Sequence, residues 1–168
     1  MKNKKYAVLI IGCGNIAGRF DFGIKKFQNF NPSTHAGGYF NHPGFDLAAC
    51  LEINDIKRIE FMREFNIKKG YQNCNEILES KIQFDVISIC TPTKLHLDAF
   101  KICLELNPKL IFCEKPISDS LEKANEMIKL CKKNNIKLLV NNRRLTPVYK
   151  KLKEIVDLKL NNKIITVN

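Results

Sequence analysis

Apolar runs of strand length alternate along this chain with stretches of helical period. The runs predict strands at Tyr6–Ile11, Phe45–Leu51, Phe84–Cys90, Leu110–Cys113 and Lys137–Val140, with short β-like material around Tyr71. Helical spacing predicts helices near Asp55–Phe65, Leu95–Leu106, Ser118–Asn134 and Pro147–Leu158. The helix from Ser118 has an N-cap in Ser118 or Asp119, Glu122 in its first turn, and an apolar stripe at Leu121, Ala124, Ile128 and Cys131. The strands are almost continuously apolar, as burial on both faces requires. The alternation therefore predicts an α/β fold, a doubly wound parallel sheet whose right-handed crossovers place helices on both faces.

One region breaks the rhythm. Between Arg19 and Gly44 lie Asp21-Phe22-Gly23, Asn31-Pro32-Ser33 and Gly37-Gly38. A helix interrupted by a loop fits this stretch. It reads equally well as a binding loop and as an accommodated surface insertion. His35 within it reads as a helix-start histidine rather than a site residue.

Composition narrows the class. The chain has 168 residues, 45% hydrophobic and 27% charged, enough for one globular domain with a full core. The first apolar run, Tyr6 to Ile11, is too short for a secretory leader, and no later run is long enough to cross a bilayer, so a soluble cytoplasmic protein is expected. Seven cysteines contain no C-x-x-C pair and no histidine at zinc spacing, so no metal site is expected. Cys50, Cys90 and Cys113 fall in or beside predicted strands and read as small apolar residues in a reducing compartment. The net charge of +11 comes mostly from scattered lysines, with only five arginines and no basic stripe interleaved with aromatics. That pattern predicts a solvated surface rather than specific nucleic-acid binding, and it favours anionic cofactors.

Candidate chemistry sits at the predicted strand ends. Gly12-Cys13-Gly14-Asn15-Ile16-Ala17 directly follows the first strand and fits G-x-G-x-x-G/A. Gly12 permits the tight turn, Gly14 lets the backbone approach a pyrophosphate, and Ala17 keeps the next helix near the sheet; that helix's first amides face the phosphates. Glu52 ends the second strand, where an acid accepts hydrogen bonds from ribose hydroxyls and repels a 2′-phosphate, so it favours NAD over NADP. It lies farther from the glycines than the usual ~20 residues, which the insertion accounts for. Lys57 and Arg58 nearby offer an alternative phosphate partner. Thr91 and Pro92 close the third long strand, with Thr91 able to offer a hydroxyl and an amide to a cofactor. His96 follows and, taken alone, reads as a helix-surface histidine.

Glu114-Lys115-Pro116 ends the strand Leu110–Cys113. Pro116 cannot donate to a sheet ladder, and the carboxyl ends of parallel strands are where open α/β sheets place their ligands. A lysine half out of water there can donate a hydrogen bond or move a proton. The competing reading is an ordinary Glu114–Lys115 salt bridge.

Together with Glu52, Thr91-Pro92 and His96, and with Asn142-Arg143-Arg144 and Pro147, the glycine loop and the Glu-Lys-Pro triplet resemble the amino-terminal half of the Gfo/Idh/MocA oxidoreductases, the glucose–fructose oxidoreductase and inositol dehydrogenase family. The resemblance implies NAD(P)-dependent hydride transfer at a hydroxyl or carbonyl of a sugar, cyclitol or related small molecule. It makes Gly12 to Ile16, Glu52, Thr91, Pro92, His96, Glu114, Lys115, Arg143 and Arg144 the cofactor-binding set. Lys115 is then the proton-transferring residue, often preceding a cis proline, and Arg143 or Arg144 approaches the nicotinamide. Family members are roughly twice this long and carry a second domain with an Asp-x-x-x-His motif, which occurs nowhere in this sequence. On that comparison residues 1–160 form the dinucleotide-binding domain and residues 161–168 begin a linker strand toward a second domain that the chain lacks. Little turnover by the chain alone is then expected, together with self-association through the apolar end Ile164 to Val167. The alternatives are a non-catalytic dinucleotide-binding module or regulatory subunit and, less well matched, a methyltransferase.

Overall fold

The first strand, β1 (Tyr6–Ile11), lies in the middle of a six-stranded sheet of order β3-β2-β1-β4-β5-β6. Its partners are β2 (Phe45–Leu51), β3 (Lys69–Tyr71), β4 (Val86–Ile89), β5 (Leu110–Cys113) and β6 (Lys137–Val140). Every pairing is parallel, and the chain reverses direction of travel across the sheet between β3 and β4. The computed structural model describes residues 4–23, 32–142 and 150–151. The predicted helix Pro147–Leu158, the residues Arg143 and Arg144, and the terminal run Ile164 to Val167 lie outside or almost wholly outside the described residues.

Side-chain alternation along the strands builds two cores. Leu9, Ile11, Ile87, Ile89, Ile111 and Cys113 point to one face, where α3 (Cys74–Glu79), α4 (His96–Glu105) and α5 (Leu121–Lys133) cover them with Ile77, Phe100, Cys103 and Met127. Val8, Ile10, Leu47 and Cys50 point to the other face, under Ala36 of α1 (His35–Asn41) and Phe61 and Phe65 of α2 (Asp55–Phe65). The doubly wound parallel sheet expected from the sequence is therefore observed. β6 is the outer strand beyond β5, and its burial alternates between exposed and half-buried positions.

Several boundaries differ, each for a local reason. α5 begins after Ser120, whose hydroxyl accepts from the Lys123 amide, rather than after Ser118 or Asp119. Its buried stripe is Ala124, Met127 and Cys131; Leu121 is 77% exposed and Ile128 41%. A 3-10 turn, Thr93–Leu95, leads into α4, so the helix starts at His96. The six-residue α3 was too short to show a helical period; Asn73 caps it. In place of a full helix after the glycine loop, the chain makes one turn and a 3-10 segment, Arg19–Asp21.

Three side chains tie down the described ends of the excursion that follows. The buried Asp21 carboxylate accepts from the Ser33 amide and hydroxyl and from the Thr34 amide and hydroxyl, the last at 2.5 Å. Thr34 in turn caps α1, its Oγ1 accepting from the Gly37 amide at 3.1 Å. Arg19 reaches across to Glu60 on α2 at 2.8 Å.

Close approach of the glycine turn to α2 falls on Gly18 as well as on the buried Ala17. A Cβ on Gly18 would overlap the rings of Phe61 and Phe65. Those rings are buried and packed against each other and Phe22, so they cannot swing aside freely. Gly18→Ala is expected to destabilise the protein by about 1–3 kcal/mol in chemical denaturation. Gly14→Ala, whose Cβ would meet nothing within 4 Å, is expected to change stability by less than about 0.5 kcal/mol.

Candidate functional site

All six parallel strands end on one edge, and that edge gathers the described residues singled out at strand ends from the sequence. The glycine loop leaves β1, Glu52 follows β2, Thr91 and Pro92 follow β4, and Glu114-Lys115-Pro116 follow β5. The loop stands at the switch between β1 and β4, where open α/β sheets form a crevice.

Gly12 has φ +88°, and a Cβ there would press on the Cys90–Thr91 backbone at 3.0 Å. Only glycine satisfies both the dihedral and the contact. The Cys13 side chain is buried, and its amide donates to Glu52 Oε2 at 3.0 Å. Among the described residues the amides of Gly14, Asn15 and Ile16 find no acceptor, while the Gly14 carbonyl takes the amides of Gly18 and Arg19. Gly14 faces open space. A turn with unclaimed amides and no Cβ in front of it is a place for an anion.

Glu52 is held by two amides, those of Cys13 and Asn54, each at 3.0 Å. Arg58, a candidate phosphate partner, is already committed. Its guanidinium donates to the Glu52 carbonyl at 2.7 Å and pairs with Asp55. Thr91 contributes the one buried side-chain polar atom without a partner among the described residues, its Oγ1. His96 is not on the helix surface. It is 1% exposed, with Nε2 donating to the Thr91 carbonyl at 2.9 Å and Nδ1 facing the Cys113 thiol at 3.5 Å and the Ile117 carbonyl at 3.2 Å. It props the Thr91 and Pro116 turns from below.

Glu114 and Lys115 do not pair with each other. Alternation along β5 turns Glu114 inward, on the same face as Leu110 and Phe112, and leaves the Lys115 side chain exposed. Lys115 is thus more open than the half-buried position expected of it, and among the described residues its ammonium has no carboxylate partner. The Lys115–Pro116 peptide is cis.

The inward carboxylate organises a network that the sequence reading did not anticipate. Glu114 Oε1 accepts from His35 Nε2 at 2.9 Å and from Asn141 Nδ2, and Oε2 accepts from the Lys115 amide at 3.2 Å. His35 Nδ1 meets Ser88 Oγ at 3.1 Å, and Ser88 meets the Tyr39 hydroxyl at 2.9 Å. His35 starts α1, as expected, but it is buried and belongs to this cluster. One clue was in the sequence: Ser88 interrupts an otherwise apolar strand, and a buried hydroxyl needs partners.

Burial alone would raise the Glu114 carboxyl, but hydrogen bonds from His35 and Asn141, the nearby imidazole and the Lys115 amide outweigh it and hold the group at about 2. Burial pushes the Tyr39 phenol up to about 12, against the opposing hydrogen bond to Ser88. Burial pushes the thiols of Cys90 and Cys103 well up, and that of Cys113 to about 12, so these cysteines behave as apolar filling.

Comparison with known proteins bears on the family and the fold. Residues 6–142 match the model of an oxidoreductase family with an NAD-binding Rossmann fold, GFO_IDH_MocA. The chain belongs to the Gfo/Idh/MocA oxidoreductase family. It is 33% identical over 116 residues to a myo-inositol 2-dehydrogenase of Thermotoga maritima, covering 67% of this chain and 34% of that protein. It is 27% identical to an oxidoreductase, P35, of Formosa agariphila over 88% of this chain and 41% of the relative. A crystal structure of a myo-inositol 2-dehydrogenase from Lactobacillus plantarum superposes with a TM-score of 0.75 at 25% identity, over 96% of this chain and 44% of the other. The chain thus spans between a third and a half of the length of these relatives. Among the described residues no helix is long and apolar enough to cross a membrane.

The residues present fit the dinucleotide that names this Gfo/Idh/MocA domain. The unclaimed loop amides suit a pyrophosphate, the fixed Glu52 carboxylate suits ribose hydroxyls, and the Thr91 hydroxyl lacks a partner on the protein.

The Glu114 shift gives a pH signature. Its folded value of about 2 lies below the ordinary 4.5, so its contribution is fully present above about pH 4.5 and is lost as pH falls toward 2. Glu114→Gln is expected to cost about 1–3 kcal/mol at pH 7 in urea denaturation. The gap between variant and parent should shrink as pH falls from 4.5 to 2; a gap constant across that range would refute the assignment.

Proposed function

We propose that this chain binds NAD(H) along the carboxyl edge of its sheet and forms the cofactor half of a dehydrogenase acting on a hydroxyl or carbonyl of a cyclitol, sugar or related polyol. The observation that carries this reading is the separation of Glu114 from Lys115. A strand-ending salt bridge would have explained the pair without function, and the carboxylate is instead buried in its own network. That leaves an ammonium at the edge of the crevice, on the side of β1 away from Glu52.

The roles follow from position. The amides of Gly14, Asn15 and Ile16 bind pyrophosphate oxygens, with Gly12 and the buried Cys13 shaping the turn. Glu52 accepts from the adenosine ribose hydroxyls. Thr91 and Pro92 line the crevice beyond the loop, and His96 holds Thr91 in place. Arg143 and Arg144 are assigned to the nicotinamide end by the family resemblance. Bound nicotinamide supplies the two-electron acceptor or donor that hydride transfer needs. Lys115, which the family resemblance also puts among the cofactor-binding residues, holds the substrate oxygen and passes its proton as the carbon changes oxidation state. Inositol dehydrogenases among the relatives support a cyclitol or a sugar as substrate.

NAD is preferred to NADP in this reading because Glu52 occupies the ribose end and Arg58 is tied to Glu52 and Asp55. Among the described residues a 2′-phosphate would meet a carboxylate with no uncommitted guanidinium beside it, leaving only Lys57 of the Lys57–Arg58 pair to answer the charge. A similar D-xylose 1-dehydrogenase of Haloarcula marismortui uses NADP(+), so the preference rests on these residues and not on the family. Self-association and a reducing, cytoplasmic setting are part of the same proposal, supported by the outer strand β6 and seven free cysteines.

Calorimetric titration tests the reading. NADH should bind at least about tenfold more tightly than NADPH, the ratio that ~1.4 kcal/mol gives. Glu52→Ala should weaken NADH and narrow the ratio, and Gly14→Val should weaken both cofactors. Absence of NADH binding, or a preference for NADPH, would overturn it.

A further inference from the structure

His35 belongs to neither the glycine motif nor the Glu-Lys-Pro triplet, yet it touches both. Its backbone amide donates to the Ile16 carbonyl at 3.2 Å, and the next amide, Ala36, donates to the Ala17 carbonyl at 2.8 Å. The first residues of α1 therefore hold the glycine loop from behind, by its carbonyls. The unclaimed amides of that loop remain for a ligand. The His35 imidazole, meanwhile, reaches the end of β5 and donates to Glu114 Oε1 at 2.9 Å. Glu114 in turn fixes the Lys115 amide. One residue thus spans the two ends of the crevice.

The ring has little freedom to move. It is 6% exposed and packs on Phe112, with ring centroids 4.4 Å apart. With Nε2 given to Glu114, Nδ1 faces the Ser88 hydroxyl, which in turn meets the Tyr39 hydroxyl. Tyr39, Ser88, His35 and Glu114 thus form one continuous chain of hydrogen bonds. Tyr39 lies one helical turn after His35 on α1, so two of the four members of this chain of bonds rest on the same helix, which is tied through Ser88 to β4 and through Glu114 to the end of β5. Asp21, through Thr34, fixes where that helix begins.

We propose that His35 is a positioning residue that couples the glycine loop to Lys115, so that cofactor bound at one end finds the lysine correctly placed at the other. The inference rests on the reading that NAD(H) occupies the crevice. It adds that the energetic contribution of Lys115 to cofactor binding depends on the His35 imidazole. A residue that merely filled space would weaken binding, if at all, independently of Lys115.

A double-mutant cycle on NADH affinity separates these cases. In the parent, Lys115→Ala is expected to weaken NADH about tenfold, the loss typical of a charge-assisted contact. In a His35→Leu background the same change is expected to weaken it less than about twofold. His35→Gln, which keeps one donor toward Glu114, should restore most of the Lys115 effect. Thermal melts confirm that each variant folds. If His35→Leu does not, Ser88→Ala frees the imidazole without emptying its site and carries the same cycle. Additive losses would overturn the coupling and leave the NAD(H) reading standing. No effect of Lys115→Ala on NADH affinity would also overturn it, since no lysine–cofactor contact would exist to be positioned. Failure of the parent to bind NADH would remove the underlying reading as well.

Discussion

A carboxylate buried at the end of a β-strand must be met by donors or it will not stay ionised. Glu114 is such a group, and the arrangement of the candidate site follows from how it is satisfied. Its donors come from α1, from the turn after β6 and from the next residue along the chain. The first two tie α1 and the end of β6 to the end of β5, and the third closes the turn that follows it. Because the carboxylate is answered from inside, Lys115 is not needed as its counter-ion and stays at the crevice. The separation of two adjacent residues, one structural and one at the surface, comes from the twofold alternation of a strand.

The sheet supplies the frame in which this matters. Parallel strands bring all their carboxyl ends to one edge, so residues from positions 12 to 141 of the sequence share one crevice. The reversal of travel between β3 and β4 opens the gap beside β1 that the glycine loop borders. Burial on both faces makes the strands rigid, and loops anchored on a rigid scaffold hold binding groups in place. The insertion after the glycine turn fits the same frame. Instead of a full helix it gives a single turn, a carboxylate at Asp21 and a restarted helix at His35, and the restart brings an imidazole to Glu114.

Several asparagines have structural tasks at helix ends and turns. Asn54 and Asn73 cap α2 and α3, Asn66 takes the left-handed position that ends α2, and Asn107 and Asn135 sit at positive φ in the turns before β5 and β6. Asparagine tolerates that conformation better than most residues. The abundance of this residue therefore reflects the number of helix ends as well as solvation. His96 is the clearest reversal: its neighbours in sequence gave it a helix surface, and the fold buried it between two turns.

The sequence by itself determined the strands, their order of appearance, the doubly wound class, the glycine loop and the strand-end positions of Glu52, Thr91 and Lys115. These are legible because hydrophobic period and turn chemistry are local, and a parallel sheet converts strand ends into a shared edge. Tertiary structure alone decided which face of β5 is answered by donors at Glu114, that Arg58 is spent on Glu52 and Asp55, and that His35, Ser88, Tyr39 and Asn141 converge. Partners 53 and 79 residues apart in the chain leave no local signature, since nothing in the neighbourhood of His35 indicates which strand it will face. Ser88 hinted that a buried hydroxyl needed an answer, but only packing could say which residue would give it.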